Sequence, residues 1–217
     1  MSFTQQFGGQ VAGGGVVSST PAVTIAPGSF LFVWAKVNTW SPGVATLTDT
    51  LGGQNWINIL NNFRTNHNSA DGVSVWYALN AKGGTGAVTF TSPGSSFPTV
   101  FGLNYSDRIA GLDNNSPIAI GHSAALNSGN VTLSSPNDLL IEYTNVNQGV
   151  PATTTMTDGA VFRTGSNGPF ASLWDRTAGA PGTYAATATG GGIYDWQCAL
   201  FAFRLGGGRR MLTGFGR

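Results

Sequence analysis

Few residues of this 217-residue chain have types and spacings that could do chemistry. There are two histidines, His67 and His122, one cysteine, Cys198, and one glutamate, Glu142. Zinc needs closely spaced His, Cys or carboxylate ligands, and neither histidine has such neighbours. A Ser-His-Asp hydrolase needs its serine on a recognisable turn, but no G-x-S-x-G elbow occurs. A glycosidase needs two flanking carboxylates. With a single glutamate, that pair would have to come from aspartates such as Asp49, Asp71, Asp107, Asp113 and Asp158. These read as turn residues bonded to local backbone. Asp113-Asn114-Asn115-Ser116 offers oxygens to Ca²⁺ but lacks the EF-hand spacing, so turn chemistry is the favoured reading. Gly190-Gly191-Gly192 precedes neither a helix nor Lys-Ser/Thr and reads as a hairpin turn rather than a phosphate loop. His67, within Asn66-His67-Asn68, reads as an exposed loop residue. Cys198, inside Gln197-Cys198-Ala199-Leu200-Phe201, reads as a buried, inert thiol. No catalytic, cofactor or metal site is assigned. Trp40, between Thr39 and Ser41-Pro42-Gly43, is the best candidate for stacking on a sugar. It also fits as a cap on one end of the core. Trp34, Trp56, Trp76, Trp174 and Trp196 read as core residues in strands.

The elements that position these residues are strands. Only 9% of residues are charged, and Thr, Ser, Asn and Gly make up 91 of the 217. Surface helices normally carry Glu and Lys, so this composition argues against them. The 41% hydrophobic content excludes disorder. A net charge of +1 provides no field to attract nucleic acid. The first ten residues lack the charged and apolar regions of a secretory signal, and no stretch approaches the roughly 18 apolar residues of a membrane-spanning helix. These features predict a soluble protein made in a cytoplasm. A mature secreted fragment would look the same.

Short β-rich runs alternate with Gly, Pro, Asn and Ser. They predict strands near 22–26, 29–37, 44–49, 55–60, 72–79, 86–91, 98–106, 117–121, 130–134, 138–146, 160–163, 170–176, 183–189 and 194–205. Trp56–Phe63 could start a helix, but it is short and rich in Asn. The chain also looks duplicated. Ala26–Val33 echoes Ser135–Glu142, and Val73-Ser74-Val75-Trp76 echoes Ala171-Ser172-Leu173-Trp174. Two four-strand units facing each other would make an eight-stranded jelly roll. Phe30/Phe32/Trp34 and Leu31/Val33/Ala35 make one strand apolar on both faces, so loops or another subunit must cover the second face.

The organisation expected is an N-terminal arm or edge strand over 1–20, a sandwich over 21–205, and a Gly/Arg-rich tail over 206–217. In the tail, Arg209, Arg210, Met211, Leu212 and Phe215 are candidate assembly contacts, with Arg217 adding a third basic group.

Several segments resemble a jelly-roll β-sandwich family of bacterial extracellular and phage virion proteins. Asp49-Thr50-Leu51-Gly52-Gly53-Gln54-Asn55-Trp56 resembles its D-x-x-G-N-x-W turn. Tyr105-Ser106, Gly111-Leu112-Asp113 and Ser116-Pro117 resemble its Y-S-G-L-D…S-P segment, with Asp107-Arg108-Ile109-Ala110 inserted. Asp138-Leu139-Leu140-Ile141 resembles its D-L-L strand, and Gly182-Thr183-Tyr184 through Trp196 to Ala202-Phe203-Arg204 its closing hairpin. The likeness implies an all-β jelly-roll sandwich of two antiparallel sheets and a binding or structural role without catalysis. The expected function is that of a virion structural protein, a phage head decoration (cement) protein or tail/fibre component. It would be homo-oligomeric and would assemble on other virion proteins such as the major capsid protein. The alternative is an extracellular carbohydrate-binding or adhesion module, with a glycan as partner.

Overall fold

A computed structural model describes residues 2–10, 15–67, 69–94, 97–147, 154–165 and 171–206. All regular structure among the described residues is strand. The first half supplies β1 (Phe3–Gln10), β2 (Val17–Ser19), β3 (Val23–Ile25), β4 (Phe30–Val37), β5 (Thr46–Asp49), β6 (Ile57–His67), β7 (Ser69–Ala78), β8 (Gly84–Gly86), β9 (Val88–Thr91) and β10 (Thr99–Tyr105). The second half supplies β11 (Ile109–Asn115), β12 (Ala119–Asn127), β13 (Val131–Leu133), β14 (Leu139–Asn147), β15 (Thr155–Met156), β16 (Val161–Gly165), β17 (Ser172–Thr177), β18 (Gly182–Tyr184) and β19 (Thr187–Leu205).

Two large antiparallel sheets face each other, one from each half. Their strand orders are β1-β10-β4-β7-β6 and β11-β19-β14-β17-β16. The two orders are the same path walked twice. The smaller sheets repeat it as well. In the first half β3 pairs with β8 and β9 lies between β2 and β5; in the second, β13 pairs with β18 and the start of β19 pairs with both β12 and β15. The turn before the central strand is also shared, since Gly28 (φ 84°) and Asn137 (φ 62°) both adopt the left-handed conformation that these residue types tolerate best. The duplication read in the sequence is therefore present in the topology.

Register fixes which residues correspond. Phe32 pairs with Tyr77 where Ile141 pairs with Asp175, and Phe30 pairs with Tyr105 where Leu139 pairs with Phe203. All eight residues of β4 are buried. Phe30, Phe32 and Trp34 face the second half, in a central core shared with Leu139, Ile141, Tyr143, Phe201 and Phe203. Leu31, Val33 and Ala35 face a separate core under the small sheets, with Val23, Ile25, Val88 and Phe90. The second half has its own outer core around Leu140, Cys198, Leu200 and Ala202. The second apolar face of β4 is thus covered by strands of the same chain. Connecting residues Ala45, Leu51 and Ala81 share in this cover, as the loop reading expected, and the short strands supply the rest without a second subunit.

Other expectations also change. Phe3–Gln10 forms the edge of the first large sheet, in keeping with the edge-strand alternative for 1–20, and only the start of the folded unit moves, to before residue 21. Ile57–His67 is strand, which removes the helix option and places His67 at a strand end rather than in a loop. β11 takes in Ile109 and Ala110 of the insertion and continues to Asn115, so Asp113, expected in a turn, lies in a strand.

Candidate functional site

The two halves run in the same direction. Phe30 meets Phe203 (ring centroids 4.8 Å apart), Phe32 meets Phe201 (5.5 Å) and Trp34 meets Tyr143 (5.1 Å). Both sets of strand ends therefore gather at two poles. At one pole Ser106 N donates to Ser2 O (3.2 Å), Ser2 N contacts the Asp107 carboxylate, and Gly206 N donates to Arg108 O (2.7 Å). The opposite pole carries the exposed apolar residues Val44, Phe97 and Ile193. Here the loop after β4 is held rigidly. Asn61 bonds both backbone groups of Ala45 (2.9 Å each), and Asn62 Nδ2 donates to Ser41 O and Gly43 O (2.8 Å each).

Trp40 lies in this loop, half-buried. Its indole N–H donates to Asn62 O at 2.9 Å. Gly72 makes room for the ring, since a Cβ there would sit 3.2 Å from Trp40 Cδ1. This is the end-cap geometry, with the polar edge of the indole already used. Arg209, Arg210, Met211, Leu212, Phe215 and Arg217 lie outside the described residues.

Charged side chains collect in four other places. The first is the Asp49 turn. Its carboxylate accepts from Leu51 N (2.8 Å), Gly53 N (3.2 Å), Gln54 N (3.0 Å) and Trp56 Nε1 (2.8 Å). The Asp-to-Trp motif is therefore a structural clip, and Trp56, taken as a core residue, is a half-buried part of it. The other four tryptophans assigned to the core are buried.

The second is the seam between the large sheets. Tyr105 donates to Asp175 Oδ2 at 2.5 Å, and Arg163 Nε lies 2.8 Å from Asp175 Oδ1. Burial, then the Asp175 charge, pushes the Tyr105 hydroxyl well above its ordinary pKa. A cavity of about 120 Å³ opens here, lined by Phe3, Tyr105, Val161, Arg163 and Asp175 among others. Further along the seam, Lys36 Nζ is 2.9 Å from Asp71 Oδ2, Gln197 Nε2 approaches the same oxygen at 3.5 Å, and Tyr143 donates to Gln197 Oε1 at 2.8 Å.

The third is the outer core of the second half. Glu142 is fully buried where the first half has Val33. Arg176 Nε donates to Glu142 Oε1 at 2.7 Å, and its Nη2 donates to Asp158 Oδ2 at 3.4 Å. Burial first, and the Asp158 charge second, push the Glu142 pKa up to about 8 despite Arg176. The fourth pairs Asp113 with Asp138. Burial, then the Asp113 charge, raises Asp138 to about 6. Burial pulls Asp113 the same way, but its contact with Arg204 outweighs this and lowers it. A protonated Asp138 can donate to the Asp113 carboxylate. Asn114 and Asn115 bond backbone carbonyls (3.1 and 3.2 Å), and Ser116 Oγ accepts from Leu200 N (2.9 Å), so this stretch is tied into the sheet.

His122 Nδ1 and Asp195 Oδ1 are 2.6 Å apart, a pairing that sequence spacing could not reveal because it spans 73 residues. The adjacent Ser123 Oγ accepts from Trp196 Nε1 (2.9 Å) and donates to Ala125 O (2.6 Å), which turns it away from the nucleophile role. Cys198 is buried with its Sγ 3.6 Å from Ala186 O, and burial pushes the thiol up, which keeps it protonated. Among the described residues no group of three or more His, Cys, Asp or Glu could hold a metal ion. Among them, too, no helix is long and apolar enough to cross a membrane. The seam and outer-core groups did leave a trace in the sequence: Lys36 and Glu142 are charges inside the apolar runs Phe30–Val37 and Leu139–Tyr143, and Asp175 directly follows Leu173-Trp174.

No family model, curated protein or solved structure matches the chain.

Proposed function

We propose that this chain is a virion structural protein, a phage head decoration protein or a tail/fibre component, which acts by protein–protein assembly. One observation carries the reading. The start of the described chain, the connection between the halves and Gly206 all meet at one pole, while the opposite pole presents a rigid loop with exposed Val44. A body built this way can be held at one end and displayed from the other. The chemistry of its side chains fits the same role. Asp49, Asp175, Glu142 and Asp113 are each engaged by donors that shape the fold. Carboxyl groups engaged in this way fix one arrangement of the strands and turns around them. The tail, with Arg209, Arg210, Met211, Leu212 and Phe215, would dock on a neighbouring shell protein such as the major capsid protein.

The test is sedimentation of lysates containing assembled particles, with the full chain and a chain ending at Leu205 followed by antibody. Co-sedimentation of the full chain, reduced by the truncation, is expected. A full chain that stays at the top of the gradient while particles sediment would overturn the reading. A carbohydrate-binding or adhesion role has one observation in its favour, the exposed aromatic Phe97, three residues beyond Gly94, which packs against Ser41 of the Trp40 loop. Glycan-array binding by the monomer, lost in Phe97→Ala, would establish it instead.

A further inference from the structure

The two outer cores are private. The core beneath β2, β3, β8 and β9 contains only residues of the first half, and the one around Leu140 and Cys198 only residues of the second. The halves share only the central core, and between Tyr105 and Ile109 they are joined by three residues, Ser106 to Arg108. A unit with its own core meets the physical requirement for folding as a unit. The contacts across the seam also come in related pairs. Tyr105 on Asp175 corresponds by register to Phe203 on Tyr77, whose rings are 5.3 Å apart. Trp34 and Tyr143 occupy equivalent positions and meet each other, as residues on a two-fold axis do.

We propose that the chain is a covalently joined dimer of two sandwich units, and that its central seam is an interface able to hold separate polypeptides. The partner this surface fits is a second unit of the same fold, here the complementary half of another copy of the chain. The apolar faces of Phe30, Phe32 and Trp34 and of Phe201 and Phe203 supply the driving force, and the pairing of Tyr105 with Asp175 sets the register. This assignment does not depend on a role in virions.

The test uses the full chain with a specific-protease sequence inserted at Asp107. After complete cleavage, both halves are expected to co-elute at the volume of the intact chain at micromolar concentration. The far-ultraviolet strand signal should be unchanged. Light and isotope-heavy cut samples, mixed in denaturant and refolded, should give hybrids by native mass spectrometry. Separation of the halves, loss of strand signal on cleavage, or failure to form hybrids overturns the proposal. If the insertion prevents folding, a circular permutant tests the same point. Ser2 and Gly206 both lie beside the connection, so the natural ends can be joined by a cleavable linker and new ends opened at Asp107. The permutant is expected to fold and to survive cutting of that linker, and a permutant that does not fold overturns the proposal as well.

Discussion

The Tyr105 hydroxyl and the Asp175 carboxylate meet at 2.5 Å across the seam, where register makes them the counterparts of Phe203 and Tyr77. One side of a repeated contact is a hydrogen bond and the other is two aromatic rings. The polar version leaves a buried acceptor if its donor is removed. Tyr105→Phe is therefore expected to lower unfolding free energy by about 1–2 kcal/mol, measured by urea titration. A change within error would mean that Arg163 alone satisfies Asp175.

Glu142 sets a pH dependence. Its folded pKa, about 8, lies above the ordinary carboxylate value of 4.5, so the folded state holds a proton that the unfolded state has released. Stability from this group is complete below the unfolded value and is lost as pH rises toward about 8. Glu142→Gln keeps the shape and removes the titration. Its melting temperature should match the parent at low pH and exceed it above the folded pKa. Parallel curves for the two proteins across that window would refute the assignment.

The Asp49 clip gathers three backbone N–H groups and one indole N–H on a single carboxylate. Charge-assisted bonds of this kind are individually stronger than neutral ones. Asp49→Ala is expected to cost about 3 kcal/mol, near the upper end of ordinary single substitutions. Trp56 fluorescence should shift to the red as its ring loses its anchor. An unshifted spectrum with intact stability would show that the turn holds without the carboxylate.

Gly102 is required by close approach. A Cβ there would lie 2.1 Å from two atoms of the Phe7 ring, which is buried on β10 as part of β1. Gly102→Ala should displace Phe7 and speed amide exchange along Gln5–Gly8, with a cost of about 1–3 kcal/mol from overpacking. Phe7→Ala in the same chain should remove most of that penalty. Additive effects of the two substitutions would show that the ring is not what excludes the methyl group.

Most of the longer strands and the two-fold repetition were legible in the residues, because they depend on local alternation, on turn chemistry at Pro27-Gly28 and Pro136-Asn137, and on where apolar runs stop, whereas β11, the short β2, β8 and β15, and the full reach of β6, β12 and β19 were not. So was the burial of Cys198 and of four tryptophans. The partners of Lys36, Glu142 and Asp175 were not legible, although for Lys36 and Glu142 a charge within an apolar run signalled that each needed one. Asp71, Arg176 and Tyr105 are 34 or more residues away from them along the chain, and only sheet order and register bring them together. The second apolar face of β4 was visible as a pattern, but a pattern cannot say whose atoms will cover it. Tertiary folding settled that point by laying β3, β9 and connecting residues such as Leu51 over it, because burial of apolar surface is non-directional and the nearest suitable face belonged to the same chain.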